Sequence, residues 1–349
     1  YLKMQLKTKK FFKGVKMDLY GKDLITMCDW KRDELDKVLN LAREVKKDRF
    51  STKFTNLLKD KTFLMVFYNP SLRTRISFEA AMTELGGHSQ FLEPSKMRVK
   101  LLEVEGETVK DSASVMTRYA HGIGIRILED AVEKYGDGDI LLREYAKYCN
   151  VPIINMADDI YHPCQALSDI MGVTEHLGDV KGKKLLMMWG YSPKMRSWCS
   201  IQSNLLISSR FGMNVTLAHP EGFGLDPNII QTCKDYASES GGSFEITHDL
   251  KEAFEGADVV YSRNWMSSKR YEIGDEAEKA SYEKHRDWRC TKEFMKLTND
   301  AYFIHPMPVD RENEVDDEVV DSPNSIIYDI AENRLHVQKA IMILTMSKQ

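Results

Sequence analysis

Residues 63–75 read FLMVFYNPSLRTR, and this stretch decides the class of fold. The apolar run from Phe63 to Tyr68 is typical of a buried strand, and the amphipathic segment from Ile76 to Leu85 is typical of a helix. Between them, Ser71-Leu72-Arg73-Thr74-Arg75 brings two hydroxyls and two guanidiniums to a strand-to-helix turn. Because the first N–H groups of a helix lack intrahelical partners and carry the positive end of its dipole, this turn predicts an anion site suited to phosphate.

The alternation of strand and helix continues along the chain. Apolar runs predict strands at 63–68, 90–92, 123–128, 152–156, 184–189, 214–218, 244–247, 258–262, 302–304 and 326–329. Helical periodicity predicts helices at 33–47, 74–85, 108–119, 140–149, 198–210, 227–239, 250–254, 293–297 and 332–346. Strands that alternate with helices favour parallel sheets covered on both faces, so the predicted fold class is α/β.

The length of 349 residues exceeds what one average core accommodates and predicts two doubly wound parallel-sheet domains. We expect residues 17–161 and 332–349 to form the first domain and residues 162–331 the second, with interdomain helices joining them. The last helix follows a full set of strands and should return to the first domain. The Glu/Lys-rich segment 270–289 is predicted to be an exposed, mobile loop.

The composition excludes several classes of protein. A hydrophobic content of 42% with 29% charged residues is that of a globular protein, and a net charge of −4 gives no general attraction to nucleic acid. No apolar stretch approaches the roughly 18 residues that span a bilayer, and no segment resembles a signal peptide, so we expect a soluble protein without a membrane partner. Six scattered cysteines without C-x-x-C spacing predict reduced thiols in a cytoplasm and no metal site.

Two further polar clusters accompany the 71–75 turn. Arg126 ends the strand-like run Gly122-Ile123-Gly124-Ile125-Arg126, so it should lie at the same edge of the sheet as the turn. His162 precedes Pro163, which disfavours helix before it and permits helix after it, so the imidazole should project from a helix start. Ligands of open α/β sheets bind beyond the carboxyl ends of the strands. The three clusters together predict a small phosphorylated substrate, although each alone could be structural.

Four motifs in order carry a resemblance to a known family. Ser71-Leu72-Arg73-Thr74-Arg75 resembles the carbamoyl-phosphate motif of aspartate and ornithine carbamoyltransferases, and His162-Pro163-Cys164-Gln165 resembles their second motif. His305-Pro306-Met307-Pro308 resembles the third, and residues 331–336 match the ornithine-type ending. The resemblance extends from about Leu24 to the C-terminus and covers both predicted domains.

The resemblance implies a carbamoyl-phosphate-binding first domain, an acceptor-binding second domain and no cofactor. Arg126, His162 and Gln165 would be the catalytic residues, because Arg126 and His162 would polarise the carbonyl oxygen and Gln165 would hold the carbamoyl NH2. The carbamoyl-phosphate-binding residues it implies are Ser71, Leu72, Arg73, Thr74, Arg126, His162, Gln165, Met307 and Arg334. A neutral amine would attack the carbonyl, the tetrahedral intermediate would place its oxyanion against Arg126 and His162, and phosphate would leave. The departing phosphate is a plausible proton acceptor.

The acceptor amine stays open in the sequence. Arg263 stands where ornithine enzymes carry an aspartate and where the N-acetylornithine and N-succinylornithine branch carries a lysine. A cation there should repel an ammonium and favour a carboxylate or acyl oxygen. Three positions differ from the family pattern: Gln202 aligns with the asparagine that binds the amino-acid carboxylate, Pro306 with a cysteine of ornithine-type enzymes, and Glu314 with a lysine of acetylornithine enzymes. The acceptor-binding residues that the resemblance implies are Asn155, Gln202, Arg263, Trp265, Pro306 and Met307.

The resemblance also implies three features of the architecture. The loop that begins Trp189-Gly190-Tyr191-Ser192-Pro193-Lys194 is similar to the knot-forming loop of the acylornithine branch, so a trefoil knot is expected in the second domain. Lys96, Arg98 and Lys100 fall on a segment that reaches a neighbouring subunit's site in this family, which implies a homotrimer with sites at subunit interfaces. The Met307-Pro308 bond is expected to be cis.

The activity predicted is transfer of a carbamoyl group from carbamoyl phosphate to an amino-acid-like amine, such as an N-acylated ornithine or a related carboxylate-bearing amine. Such an enzyme would serve amino-acid metabolism and arginine biosynthesis. Ornithine carbamoyltransferase proper and a non-catalytic paralogue that binds carbamoyl phosphate are the alternatives. A Rossmann-type dehydrogenase is weakly supported, because no G-x-G-x-x-G opens either half and Gly222-Phe223-Gly224 lacks the third glycine.

Overall fold

The computed structural model describes residues 19–94 and 106–348. The chain divides into two compact units, each of which is an α/β domain built on a parallel sheet. Unit 1 comprises residues up to 131, residues 137–158 and residues from 334 onward. Unit 2 comprises residues 132–136 and 159–333. None of the helices in the described ranges is long and apolar enough to span a bilayer.

Unit 1 contains a four-stranded sheet of order β2-β1-β3-β4, and all its strand pairs are parallel. Three of its strands, at 62–67, 122–126 and 153–157, are almost entirely apolar and buried, as expected for a parallel sheet with helices on its faces, whereas the edge strand at 88–92 is partly exposed. The elements are α1 (Arg32–Lys47), β1 (Thr62–Phe67), α2 (Arg73–Glu84), β2 (His88–Leu92), α3 (Val109–Tyr119), β3 (Gly122–Arg126), α4 (Asp137–Tyr148) and β4 (Ile153–Ala157).

Unit 2 contains a five-stranded parallel sheet of order β7-β6-β5-β8-β9. Its first elements are α5 (Pro163–Leu177), β5 (Lys184–Trp189), α6 (Cys199–Arg210), β6 (Asn214–Ala218), α7 (Pro227–Ser240), β7 (Ser243–Thr247), α8 (Leu250–Phe254) and β8 (Val259–Arg263). They are followed by α9 (Arg270–Ile273), α10 (Asp275–Tyr282), α11 (Lys292–Met295), β9 (Tyr302–Ile304), α12 (Asp317–Val320) and α13 (Ile327–Met346), whose residues from 334 belong to unit 1.

Each sheet reverses its strand order at one point. In unit 1 the reversal lies between the neighbours β1 and β3, and in unit 2 it lies between β5 and β8. Crevices at such switch points, outside the carboxyl ends of the strands, are where ligands bind in open α/β sheets. At the first switch point, the 71–75 turn follows β1 and Arg126 is the last residue of β3. At the second switch point, Arg263 is the last residue of β8.

The end of the chain packs within unit 1. The Lys339 side chain is fully buried, and its Nζ donates to Glu84 Oε2 at 3.0 Å and to the Arg49 carbonyl at 3.1 Å. Lys61 Nζ donates to the Met346 carbonyl at 2.7 Å. Burial acts to lower the pKa of Lys339, and the Glu84 carboxylate opposes that effect only in part.

The strand predicted at 326–329 is wrong. Pairing with β9 stops after the Ser325 bridge and the bond from the Ile326 N–H to the Phe303 carbonyl, and α13 begins at Ile327. Ile327 and Ile330 lie on one face of the helix, and Ile330 packs so closely on Gly172 that an added Cβ would stand 2.6 Å from its Cγ1. A short apolar run reads equally as strand or helix, and this packing decides for helix.

The prediction of a loop at 270–289 is also wrong, although most of the segment is exposed, as predicted. The segment contains α9 and α10, and its Glu278 side chain is completely buried. That carboxylate accepts hydrogen bonds from the Ser267 N–H at 2.6 Å and from the Tyr282 hydroxyl at 2.9 Å. The high charge of the segment suggested exposure throughout, but one of its carboxylates, Glu278, is buried and orders the segment through these hydrogen bonds. The expected cis bond at Met307-Pro308 is confirmed.

Candidate active site

The 71–75 turn connects β1 to the first turn of α2. Leu72 at the N-cap makes no side-chain cap hydrogen bond. Thr74 is 2% exposed, and Arg334 Nη2 donates to its Oγ1 at 3.0 Å. Arg334 is itself buried, so the C-terminal helix brings a cation to the beginning of α2. A helix N-terminus with guanidiniums beside it is suited to an anion.

Arg75 is engaged differently from the rest of the turn. Its Nε donates to Glu79 at 3.0 Å, and its guanidinium lies 3.8 Å from the centre of the Phe91 ring. Two residues along an α-helix point about 200° apart around its axis, so Arg73 and Arg75 face different directions. The structure therefore joins Thr74 to Arg334 in the turn, whereas Arg75 contacts Glu79 and Phe91.

Arg126 lies beside this turn. It pairs in register with Phe67, and its carbonyl accepts from the Tyr68 N–H at 2.9 Å. Asn69 fastens the two strand ends together, because its Oδ1 accepts from the Leu128 N–H at 2.7 Å and its amide donates to Asp130. The buried Asn69 thus holds the 71–75 turn and Arg126 at adjacent positions of one sheet edge.

Asn155 is fully buried on β4 in the same unit. Its Nδ2 donates to the Ile25 carbonyl at 2.8 Å and to Asp158 Oδ2 at 2.7 Å. These bonds hold the side chain at the middle of β4, where Asn155 pairs with Ile125 of β3. They account for the structural part of its role, and its predicted contact with the acceptor stays a prediction.

His162 and Gln165 begin α5 in unit 2. Pro163 occupies the first helical position, which leaves His162 at the N-cap, 7% exposed, with its N–H bonded to Ser203 Oγ at 2.8 Å. Gln165 Nε2 donates to Asp169 Oδ1 at 2.7 Å. Asp169 Oδ2 accepts from Asn204 on α6 at 3.0 Å. Because a carboxylate only accepts, Asp169 determines which end of the Gln165 amide faces it and which end faces away.

Gln202 lies on α6 and is completely buried. Its Nε2 donates to the Ile160 carbonyl and to the Tyr135 hydroxyl, both at 3.1 Å, and its Oε1 accepts from the Asp226 N–H at 3.3 Å. Both ends of the amide are therefore engaged within unit 2. The predicted contact between Gln202 and the acceptor stays a prediction.

Arg263 ends β8 at the switch point of the second sheet and is 7% exposed. Its Nη1 donates to the Pro308 carbonyl at 3.4 Å, and among the residues that the structure describes its Nε has no hydrogen-bond partner. Its carbonyl accepts from the Gly190 N–H at 2.9 Å. A Cβ at Gly190 would stand 2.7 Å from Ser262 Oγ, so this close approach requires glycine.

Two tryptophans hold the chain after β8. The Trp265 Nε1–H donates to the Phe223 carbonyl at 2.8 Å, and the Trp265 carbonyl accepts from Trp189 Nε1 at 2.9 Å. Trp265 is completely buried. Trp265, which was predicted to contact the acceptor, is therefore fixed within unit 2 by hydrogen bonds from its ring N–H and to its backbone carbonyl.

The loop after β9 carries Pro306 and Met307 and is organised by a buried pair. His305 Nε2 lies 3.0 Å from Glu314 Oε2, and both side chains are completely buried. Burial lowers the pKa of His305 to about 4, although the Glu314 hydrogen bond and charge oppose this. Burial acts to raise the pKa of Glu314, but the hydrogen bond from His305, the charge of Arg263 and the hydrogen bond from the Asn264 N–H hold it below its usual value. The pair is a neutral imidazole beside a carboxylate.

Sequence reasoning missed several residues that organise these clusters. No side-chain contact was predicted for Asn69, Asp169 or Asn264, and Glu314 was noted only because it aligns with a lysine. Asp169 could have been found, because it stands four residues after Gln165 on the same helix face in a largely apolar run. The bond from Asn264 to Glu314 joins residues 50 positions apart and leaves no local signal. Within the described ranges, no group of three His, Cys, Asp or Glu side chains could hold a metal ion.

Comparison with known proteins identifies the family. Residues 22–175 match the family model of the aspartate/ornithine carbamoyltransferase carbamoyl-P binding domain, and residues 194–345 match that of the Asp/Orn binding domain. The ornithine carbamoyltransferase of Thermococcus kodakarensis is 37% identical over 333 residues, which cover 95% of this chain and 98% of that protein. The N-acetylornithine carbamoyltransferase of Xanthomonas campestris pv. campestris is 39% identical over 334 residues, covering 92% and 96%.

A solved structure agrees with these matches. The crystal structure of an acetylornithine transcarbamylase complexed with acetylcitrulline superimposes with a TM-score of 0.88 at 36% identity, covering 94% of this chain and 100% of that one. Sequence and fold thus agree over nearly the whole chain. The chain belongs to the aspartate/ornithine carbamoyltransferase family, and within it lies near the acetylornithine branch.

Proposed function

We propose that Ser71, Leu72, Arg73, Thr74 and Arg334 bind the phosphate of carbamoyl phosphate. The observation that carries this proposal is the buried bond between Arg334 and Thr74 at the first turn of α2, which adds a guanidinium to a helix N-terminus at a switch point. A dianion there would meet unsatisfied N–H groups and fork-shaped donors. Asn69 keeps Arg126 at the neighbouring strand end, close to the turn.

We further propose that Arg126 and His162 stabilise the oxyanion that forms when an amine attacks the carbamoyl carbon. Gln165 and the Met307 carbonyl would accept hydrogen bonds from the carbamoyl NH2. The bond from Gln165 Nε2 to Asp169 supports this role, because it assigns the amide oxygen to the other side, as an acceptor for NH2 requires. In the transfer step the neutral amine forms a bond to the carbamoyl carbon, the bond from that carbon to the phosphate oxygen breaks, and the departing phosphate takes the proton from the amine.

We propose that the acceptor is an amino-acid-like amine that also carries a carboxylate or an acyl oxygen. A buried guanidinium at the second switch point, with one N–H lacking a partner among the described residues, supports an oxygen-bearing acceptor. The side-chain amide of the neighbouring Asn264 is completely buried. Neither its Nδ2 nor its Oδ1 has a hydrogen-bond partner among the residues that the structure describes. Asn155, Gln202, Trp265, Pro306 and Met307 complete the proposed acceptor set.

The decisive experiment is phosphate release from carbamoyl phosphate in the presence of ornithine, N-acetylornithine, N-succinylornithine, aspartate, putrescine and diaminopropionate. We expect turnover with at least one amine, with N-acylated ornithines preferred. A preference for ornithine would instead assign ornithine carbamoyltransferase proper. If carbamoyl phosphate binds in calorimetry but no amine gives turnover, the chain is a binding protein.

Reversing the charge at Arg263 should change the choice of acceptor. In Arg263→Asp, a carboxylate replaces the guanidinium and should attract an ammonium while repelling acyl and carboxylate oxygens. We expect kcat/KM for the best acylated amine to fall about 100-fold relative to ornithine, which is about 3 kcal/mol of discrimination. The measurement is kcat/KM for both amines, with the exposed Arg118→Asp as the matched control. An unchanged ratio would remove Arg263 from acceptor recognition.

Loss of the carboxylate at residue 169 should impair transfer without weakening phosphate binding. Asp169→Asn presents an NH2 to Gln165 or Asn204 and allows the Gln165 amide to turn over. We expect kcat to fall about 10-fold to 100-fold, since one positioned acceptor of the carbamoyl NH2 is misoriented. Calorimetric affinity for inorganic phosphate should stay within about threefold of wild type. A wild-type kcat in a folded Asp169→Asn variant would show that the orientation of Gln165 does not depend on the Asp169 carboxylate.

We propose that the protein is a homotrimer with sites at subunit interfaces. The support within the described residues is the exposure of Leu72 (67%) and Ile76 (55%), which lie one turn apart at the beginning of α2. Lys96, Arg98 and Lys100, which the resemblance assigns to a neighbour's site, lie outside the described residues. Native mass spectrometry should show a trimer for wild type and smaller species for Ile76→Asp. A monomeric, fully active wild type would contradict this proposal.

We propose that unit 2 contains a trefoil knot and that the last helix returns to the first domain. We also propose that the enzyme acts in cytoplasmic amino-acid metabolism, including arginine biosynthesis. The contact between loop 190–198 and the segment after β8 supports the knot, since Trp198 Nε1 donates to the Met266 carbonyl at 2.7 Å. All six cysteines lie in the described ranges and none forms a disulfide, which is typical of a reducing compartment. An experimental chain trace in which the loop is not threaded would refute the knot.

A further inference from the structure

Glu314 is a buried carboxylate at which three N–H donors converge. Its Oε1 accepts from the Asn264 N–H at 3.0 Å. Its Oε2 accepts from His305 Nε2 at 3.0 Å and from the Asp310 N–H at 3.1 Å. The side chain has no exposed surface, so these donors replace the water that an ionised carboxylate would otherwise require.

The geometry determines the tautomer of His305. The Met307 N–H donates to His305 Nδ1 at 2.8 Å, so Nδ1 carries a lone pair and the proton resides on Nε2. Nε2 can then donate to the Glu314 carboxylate. A continuous chain of hydrogen bonds therefore connects the Glu314 carboxylate, the His305 imidazole and the Met307 N–H.

The same carboxylate holds two segments that are distant in sequence. Through Asn264 it holds the chain between Arg263 and Trp265, which follows β8. Through His305 and Asp310 it holds the loop that contains Pro306 and Met307. Four of the residues proposed above to contact the substrates therefore lie on backbone that is organised by a carboxylate outside that set.

We propose that Glu314 is a positioning residue for carbamoyl transfer, which keeps His305 in its Nε2–H form so that the Met307 peptide is held in register with the Arg263–Trp265 segment. This inference rests on the function proposed above. Misorientation of the Met307 carbonyl should affect the transfer step more than the binding of phosphate, because the proposed phosphate ligands lie on unit 1.

Removal of the negative charge tests the proposal. In Glu314→Gln the side chain keeps one carbonyl oxygen, so its NH2 must face an N–H donor. We expect kcat to fall about 10-fold to 100-fold while KM for carbamoyl phosphate changes by less than about threefold. Glu314→Asp retains the charge and should recover part of kcat. The matched control is Glu318→Gln, which removes one exposed carboxylate on α12 and should leave kcat within about twofold.

A double mutant separates positioning from general stability. If Glu314 acts through His305, then adding Glu314→Gln to His305→Gln should lower kcat by less than about threefold beyond the His305→Gln loss. If the losses of kcat in the two single variants were additive in the double variant, the proposed action of Glu314 through His305 would be overturned. A kcat equal to that of wild type in folded Glu314→Gln would also overturn it.

The imidazole can be observed in the wild-type protein, which keeps the proposal testable if Glu314→Gln does not fold. The ¹⁵N shifts of labelled histidines, with His305 assigned by the loss of its signals in His305→Gln, should show a neutral Nε2–H imidazole at pH 7. A cationic or Nδ1–H imidazole would overturn the proposal. Absence of turnover with every amine would defeat the proposed function alone, since the tautomer is measured without substrate.

Discussion

Arg126→Ala should lower kcat at least 100-fold while the protein remains folded. Arg126 ends β3 beside the 71–75 turn, and we propose that its guanidinium faces the oxyanion of the tetrahedral intermediate. Removal of one donor to a developing oxyanion in a water-poor site costs about 3–4 kcal/mol, which corresponds to a factor of about 100 to 1,000 in rate. The measurement is phosphate release at saturating carbamoyl phosphate with the best amine of the panel.

The matched control for this loss is Arg118→Ala. Arg118 lies exposed on α3 in the same unit, so its removal changes the net charge equally without touching the strand ends. We expect its kcat to stay within about twofold of wild type, and circular dichroism should be the same for both variants. Arg126→Ala that retains more than about a third of wild-type activity would refute the proposed role.

Acid should destabilise the folded protein through His305. Burial holds its pKa at about 4 in the folded chain, whereas the unfolded chain has the ordinary value of 6.5. As pH falls from 6.5 towards 4, the unfolded state binds a proton that the folded state does not, so stability falls by about 3 kcal/mol. Glu314, whose pKa lies below the usual 4.5, acts in the same direction below that pH.

Urea unfolding at fixed chain concentration between pH 7.5 and 4.5 measures this effect. His305→Gln cannot titrate, so its free energy of unfolding should depend less steeply on pH than that of wild type. Burial also lowers the pKa of His219, which does not bond to Glu314, so His219→Gln should remove a separate and additive part of the slope. Parallel curves for wild type and His305→Gln would contradict the assignment of a neutral buried imidazole.

Much of the fold follows from periodicity alone. The strands at 184–189, 214–218 and 302–304 have the predicted bounds, because each is a short apolar run of strand length and lies within a parallel sheet, where strands are buried on both faces. The segments 326–329 and 270–289 defeated the same reasoning. In the first, the contact of Ile330 with Gly172 selects the helix, and in the second, buried Glu278 orders a charged segment.

The sequence by itself determined the α/β class, the strand-to-helix turn at 71–75 and the polar motifs at Arg126, His162 and Gln165, because each depends on residues that are neighbours along the chain. Only the tertiary structure decided that Asn69 braces the first cluster, that Arg75 faces Phe91, and that Glu314 holds the Asn264 N–H and His305. The physical reason is the range of the interactions. Local dihedral preferences and hydrophobic periodicity act over a few residues, whereas a buried carboxylate takes its donors from whichever segments the strand order brings to it.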